Sequence, residues 1–175
     1  MRYVALLRGI NVNPVTRVAM ADLRALLDGL GHTGVRTHLN SGNAVFAAAE
    51  GSPDLIASAI ERRITEVLGL TVTVMVRTAG EMRAVVERNP LEVRDPAKFA
   101  VAFLARDPDT EVLASIDPAS YAPEEMRVGR RELYMYFPEG LRRPNLPPLL
   151  EKRSKMPVTV RNWNTVTRLA ALAEE

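Results

Sequence analysis

The stretch VRTHLNSGNAVF, Val35–Phe46, decides the fold because it contains two short strands separated by a tight turn. Apolar and polar residues alternate from Val35 to Leu39, as they do in a half-buried strand, and Ala44–Phe46 is the returning strand. Between them, Asn40-Ser41-Gly42-Asn43 supplies the residue types that tight turns require. We therefore predict a β-hairpin in the first half of the chain.

Around the hairpin, the first half follows the order βαββαβ with one further helix. Tyr3–Leu7 is a short apolar run typical of a strand, and apolar residues recur at helical spacing from Met20 to Leu30. After the hairpin, Ser52-Pro53-Asp54 is typical of a helix start. The β-branched run Thr71–Val76 predicts a strand, and the capping-box pattern Thr78–Glu81 opens the last helix.

The second half has the same order of elements. Its predicted strands are Phe99–Leu104, Met126–Val128, Leu133–Phe137 and Val158–Val160. Its helices are predicted after the first, third and fourth of these strands, and they are capped at Asp107-Pro108, opened at Asn145, and capped by Asn162 or Asn164. Such a repeat predicts an α+β fold made by tandem duplication of a ferredoxin-like βαββαβ unit plus a following helix, with antiparallel sheets. The expected repeats are residues 1–90 and 91–175, packed as one compact body. Right-handed crossovers place the third strand of each sheet between the first and the second.

Composition is that of an ordinary globular protein. Of 175 residues, 47% are hydrophobic and 25% are charged, and cysteine is absent. These values argue against disorder, a disulfide framework and a zinc site built on sulfur. The apolar run at Tyr3–Leu7 is too short for a signal peptide core or a membrane span, so we expect a cytoplasmic protein with no membrane partner.

Positive charge is concentrated late in the chain, although the net charge is only +2. Between Arg127 and Arg168 there are ten Lys/Arg and three acids, a local net charge of +7. This asymmetry favours an anionic partner, and nucleic acid is one candidate. The alternative is a solvated surface that acids from the other half balance in space.

The topology predicts that the end of the first strand and the hairpin turn lie at one edge of the sheet. That edge gathers five polar residues, Arg8, Asn11, Asn40, Ser41 and Asn43. Amide and hydroxyl groups there could hold a polar ligand while Arg8 grips a carboxylate or phosphate. Alternatively, the asparagines and Ser41 serve only the turn. The equivalent edge of the second repeat is predicted to gather Arg106, Arg130 and Arg131.

A second candidate site is the segment Arg161-Asn162-Trp163-Asn164-Thr165. Arg161 lies just before a predicted helix start, where free N–H groups favour an anion, and Trp163 could stack on a ring. In the alternative interpretation, Asn162 or Asn164 caps the helix and Trp163 packs in the core.

Catalytic signatures are absent from the sequence. It contains no GxxxxGK[ST], GxSxG or HExxH pattern. His38 lies three residues before Ser41, but no carboxylate is evidently placed to orient its ring. We therefore assign no catalytic residue, no metal site and no cofactor.

Three segments resemble the signatures of a large bacterial family, domain of unknown function 1697. They are Leu6–Val12, Ser41–Phe46 and Arg161–Val166, and Met20–Arg24 adds to the resemblance. It implies a duplicated, ferredoxin-like α+β fold and no established activity. Family members commonly carry a Gly-Gly pair after Val12, where this chain has Asn13-Pro14.

Four hypotheses of function follow. The leading one is a non-catalytic protein that binds a small anionic or nucleotide-like ligand through the first edge, with contributions from Arg161, Asn162 and Asn164. The alternatives are a nucleic-acid-binding module that uses residues 127–168, an enzyme that uses Ser41 or a bound cofactor, and an oligomerisation domain. The sequence alone does not set the oligomeric state.

Overall fold

The computed structural model describes all 175 residues, which form eight strands and six α-helices. The first seven elements are β1 (Arg2–Leu7), α1 (Met20–Gly29), β2 (Thr33–Thr37), β3 (Asn43–Ala47), α2 (Pro53–Leu68), β4 (Val74–Thr78) and α3 (Ala79–Glu87). The other seven are β5 (Phe99–Leu104), α4 (Thr110–Ala114), β6 (Glu125–Val128), β7 (Glu132–Tyr136), α5 (Leu146–Ser154), β8 (Val158–Asn162) and α6 (Trp163–Glu174). Short 3₁₀ turns lie at Pro14–Thr16, Pro96–Lys98 and Pro118–Ser120.

The strands form two four-stranded sheets, with the orders β2-β3-β1-β4 and β6-β7-β5-β8. All pairs of neighbouring strands are antiparallel. The predicted mixed helix and strand content and the antiparallel sheets are therefore confirmed. In both sheets the third strand lies between the first and the second, so the turn after the second strand is brought to the end of the first.

By its contacts the chain divides into two compact units. The first unit comprises Met1–Ala84 and Arg168–Glu175, and the second comprises Val85–Thr167. The last two turns of α6 therefore belong to the first unit, where Arg83 pairs with Glu174 at 3.1 Å. The division of the chain into two repeats, residues 1–90 and 91–175, remains a prediction.

Each unit packs helices on one face of its sheet. In the first unit, alternate residues of β1 (Tyr3, Ala5 and Leu7) share a core with α1 and α2, which contribute Leu23, Leu27, Ile60 and Ile64. Alternate residues of β5 (Ala100, Ala102 and Leu104) share the second core with α4 and α5, which contribute Leu113, Leu146 and Leu150. Each fully buried Leu or Ile of this kind contributes about 1.5–3 kcal/mol.

The two sheets match at the level of single residues. Arg77 on β4 faces Val4, and Arg161 on β8 faces Val101 at the equivalent register. Both arginines are buried, with 2% and 7% exposure, and each donates a hydrogen bond to the carbonyl of the preceding residue. The residue after each arginine caps a helix, Thr78 for α3 and Asn162 for α6.

Some predicted element limits were wrong. β2 ends at Thr37 and not at Leu39, because Leu39 has a left-handed backbone (φ 64°) and is 55% exposed in the turn. β4 runs from Val74 to Thr78, later than predicted. Helix α4 is capped by Asp109 and not by Asp107, since the Asp109 carboxylate accepts the N–H groups of residues 111 and 112.

Candidate functional site

The loop after β1 and the β2–β3 turn meet at one edge of the first sheet. Leu7 at the end of β1 donates its N–H to the carbonyl of Gly42 at 2.8 Å. Asn11 in the loop donates its Nδ2 to the carbonyl of Asn40 at 2.7 Å. The topology therefore brings together Asn11 and Asn40, as expected from the sequence. We call the loop Arg8–Ala19 the β1–α1 loop and Thr37–Asn43 the hairpin turn.

Asn11 uses its amide to shape the loop. Besides the bond to Asn40, its Nδ2 donates to the carbonyl of Val18 at 2.9 Å, and its Oδ1 accepts the N–H of Val18 at 2.8 Å. Its backbone lies in the left-handed region (φ 58°), which asparagine tolerates better than most residues. Asn11 is therefore committed to closing the loop onto the hairpin turn.

Asn43 and Ser41 serve the hairpin turn. Asn43 is fully buried, and its Nδ2 donates to the carbonyl of His38 at 2.7 Å and to the Oγ of Ser41 at 3.0 Å. A buried amide must find such partners, because leaving it unpaired is costly. These bonds agree with the turn interpretation for the two side chains.

A groove of about 460 Å³ lies between the β1–α1 loop and the hairpin turn. We call it the loop–hairpin groove, and it is lined by Asn11, Val12, Asn13, Pro14, Arg17, Val18, Ala19 and Asn40. Two residues of the predicted cluster, Asn11 and Asn40, line it. Arg8, Ser41 and Asn43 do not, and the backbone N–H of Arg8 donates to Thr73 at 2.9 Å.

Three side chains in the groove have donors without a partner in the chain. The Arg17 guanidinium is exposed and makes no hydrogen bond or ion pair. The Asn40 carboxamide is likewise exposed and unpaired, since only its backbone carbonyl is bonded. Asn13 accepts hydrogen bonds through Oδ1, which leaves its Nδ2 available to a ligand.

Sequence reasoning missed Arg17 and Asn13. Both follow β1 within the loop that carries the predicted Asn11. The available signal was the second arginine between the strand and the helix. Whether that arginine lines a groove depends on how the loop folds back onto the hairpin turn. The hydrogen bonds of Asn11 to residues 18 and 40 determine how it folds back.

In the second unit, the Arg161 side chain is held by its own strand. Its guanidinium donates to Thr159 Oγ1 at 2.8 Å and to the Val160 carbonyl at 3.1 Å. Burial lowers the pKa of Arg161 to about 10, so it is still a cation at neutral pH. A buried arginine with these bonds fits a structural role.

The other residues of that segment divide between capping, packing and exposure. Asn162 accepts the N–H of Thr165 at 2.9 Å, so Asn162 and not Asn164 is the cap. Trp163 packs edge-on against Phe99, with ring centroids 5.1 Å apart. The Asn164 side chain is exposed and has no partner in the chain.

The arginines at the equivalent edge of the second unit have acidic neighbours. Arg131 Nε lies 3.7 Å from Asp107, and the carboxylate of Glu132 accepts the backbone N–H groups of Arg130 and Arg131 at 3.0 and 3.1 Å. Arg106 donates to the carbonyl of Lys155 at 3.4 Å. Across the unit there are 13 Lys/Arg and 12 Asp/Glu, a net charge of +1.

No group of three or more His, Cys, Asp or Glu side chains is placed to hold a metal ion. None of the helices has the length and apolar character needed to cross a membrane.

Comparison with known proteins gives a family and a fold. Residues 1–134 match a family described as a protein of unknown function, DUF1697. Among solved structures, the chain is similar to the conserved bacterial protein SP0830 from Streptococcus pneumoniae, with 24% identity, 98% of each chain covered and a TM-score of 0.74. That likeness concerns the fold alone. No curated protein matches the sequence.

Proposed function

Because the chain belongs to the DUF1697 family, whose description states no activity, we propose its function from the loop–hairpin groove: it is a non-catalytic protein that binds a small anionic or nucleotide-like ligand. The observation that carries the proposal is the unpaired Arg17 guanidinium in a groove of about 460 Å³. Small-molecule sites commonly have this size and combine apolar walls with a few polar groups.

The donors of the groove favour an anion. Arg17 offers a planar fork of N–H groups that matches a carboxylate or phosphate, and such bonds are stronger than those between neutral groups. Asn40 and Asn13 add amide N–H groups that no intramolecular partner uses. Asn11 contributes indirectly, because it holds the loop and the turn in place.

We infer further that the fold is a duplicated ferredoxin-like unit. The two sheets share one strand order, and Arg77 and Arg161 occupy equivalent registers with the same bond to the preceding carbonyl. These matches support duplication more strongly than element order does. On this view the edges of the two units have diverged, since the first carries asparagines where the second carries Arg106, Arg130 and Arg131.

A thermal-shift screen over nucleotides, phosphorylated metabolites and carboxylates tests the proposal. A ligand at about 100 times its Kd adds about 2.7 kcal/mol to the stability, which raises Tm by several degrees. We expect Arg17→Ala to abolish the rise. The matched control is Arg62→Ala, because Arg62 is an exposed arginine of the same unit on α2, outside the groove.

The control should keep the full shift. The proposal fails if no compound raises Tm, or if Arg17→Ala responds as strongly as the parent protein. An equal loss in Arg62→Ala would also contradict it, since general charge and not the groove would then govern binding.

A further inference from the structure

The groove also limits which anion it can take. Resting on the proposed function, we propose that its ligand is a small monocarboxylate with an apolar body. The Arg17 guanidinium holds the carboxylate, the amides of Asn13 and Asn40 provide additional donors, and the apolar body lies on the loop side of the groove.

The charge of the groove fits a single negative charge. Arg17 is the one charged residue among the eight that line it. The nearest acid along the chain is Asp22, which is exposed in the first turn of α1. A polyanion such as a nucleoside triphosphate would leave most of its charge uncompensated here.

Several backbone N–H groups of the loop are not available to a phosphate. Phosphate sites use clustered backbone N–H groups that point at the ligand. In this loop the N–H groups of Val15 and Thr16 bind Asn13 Oδ1, and that of Val18 binds Asn11 Oδ1. The N–H of Asn11 binds the Thr16 carbonyl, and Pro14 has none. At these positions, recognition therefore falls to side chains.

Those side chains form a carboxylate-binding set. One guanidinium can engage both carboxylate oxygens in a planar, two-point contact. Asn13 Nδ2 and Asn40 are neutral donors suited to the remaining lone pairs.

The walls of the groove account for the apolar body. Four of its lining residues are apolar: Val12, Pro14, Val18 and Ala19. Val12 is 74% exposed, although the hydrogen bonds of Asn11 and Asn13 on either side fix its loop. A ligand that covers Val12 removes apolar surface from water without having to order the loop, and both effects favour binding.

Ligand-observed NMR titrations with three matched probes test this inference. Phenylacetate carries the carboxylate, phenyl phosphate carries a phosphate, and phenylacetamide is the neutral isostere. We expect phenylacetate to bind most tightly. In Arg17→Ala its affinity should fall by about ten-fold or more, the loss typical of a charge-assisted hydrogen bond. Arg17→Lys should recover part of that affinity, because lysine keeps the charge and not the fork.

Two variants separate the contributions. Asn40→Ala should weaken phenylacetate several-fold, because its amide is unpaired in the free protein, whereas Arg62→Ala should leave the affinity unchanged. If phenyl phosphate or a nucleotide binds more tightly than phenylacetate in an Arg17-dependent way, the carboxylate inference is overturned and the proposed function stands. If no anion binds in an Arg17-dependent way, both fall.

Discussion

At the scale of single residues, Asn11 determines the shape of the loop–hairpin groove. One side chain joins the two ends of its own loop through Val18 and reaches the hairpin turn through Asn40. Its left-handed backbone allows all three bonds to form together. A residue with this role acts on ligand binding without touching the ligand.

Replacing Asn11 by alanine should lower the free energy of unfolding by about 1–3 kcal/mol, because Val18 and Asn40 lose partners and alanine disfavours φ 58°. Urea denaturation measures this loss. Asn164→Ala, which removes an exposed amide with no partner in the chain, should change stability by less than about 0.5 kcal/mol. Equal effects at the two sites would contradict this account of Asn11.

We expect His32 to make the stability of the fold depend on pH. Its ring stacks on Phe46 with centroids 4.5 Å apart, its Nε2 is buried without a partner, and burial lowers its pKa below 6.5. Above pH 6.5 the ring is neutral in both the folded and the unfolded chain. As the pH falls below 6.5, the unfolded chain takes up the proton first, so the free energy of unfolding decreases.

Denaturation curves between pH 8 and about pH 5 should therefore show a loss of stability that His32→Phe reduces. Phenylalanine keeps an aromatic ring beside Phe46 and cannot be protonated. If the parent and the variant lose stability in parallel over this range, His32 is not the titrating group.

At the scale of elements, the hairpin turn requires glycine at position 42. Gly42 has φ +94°, and a Cβ there would lie 2.7 Å from Ile10 Cδ1 and 2.9 Å from Leu7 Cβ. Gly42→Ala should cost more than about 2 kcal/mol, because backbone strain and a clash in a packed core add. Gly9→Ala separates the two effects, since Gly9 has φ +70° with open space around it and should cost only about 1 kcal/mol. Equal losses measured by urea denaturation would mean that the clash contributes nothing.

Helix α5 takes its cap from a distant residue. The predicted cap, Asn145, makes no capping hydrogen bond, and the Glu124 carboxylate accepts the N–H groups of Asn145 and Leu146 at 2.8 Å each. Glu124→Ala should lower stability by about 0.5–2 kcal/mol, as the loss of a cap does, and Glu124→Gln should retain part of it. Thermal unfolding of both variants tests this, and no loss in Glu124→Ala would contradict it.

These elements show what local sequence could predict. Strand β5, the Ser52 cap and the Asn162 cap follow from residues next to each other, and the structure agrees with them. Leu39 continues the alternation of apolar and polar residues in β2, so the sequence places it in the strand. It is exposed in the structure because the chain turns there. The cap by Glu124 lies 21 residues away from Asn145, so no local pattern could reveal it.

At the scale of the whole molecule, positive charge that is concentrated in one stretch of the sequence is not concentrated in one unit of the fold. Except for Arg168, the basic stretch 127–168 shares its unit with acids that precede it in the chain, such as Asp107, which pairs with Arg131. Each unit has a net charge of +1.

We therefore expect fluorescence anisotropy at about 150 mM salt to give a Kd for DNA or RNA weaker than about 100 µM. Tighter binding with a steep salt dependence would support the nucleic-acid hypothesis instead.

The candidate site was predictable only in part. Strand order places the β1–α1 loop beside the hairpin turn, so the expectation that Asn11 and Asn40 meet needed no structure. Which side chains remain unpaired depends on the hydrogen bonds inside the fold. Those bonds commit Asn43 to the turn and leave Arg17 available in the groove.

Backbone amide NMR of the ¹⁵N-labelled protein, titrated with phenylacetate, tests the central claim most directly. The account predicts saturable shifts at residues 11–13, 15–19 and 40, none near Arg106 or Arg130, and loss of the shifts in Arg17→Ala. Saturable shifts located elsewhere, or the same shifts in Arg17→Ala, would contradict the assignment of the loop–hairpin groove as the ligand site.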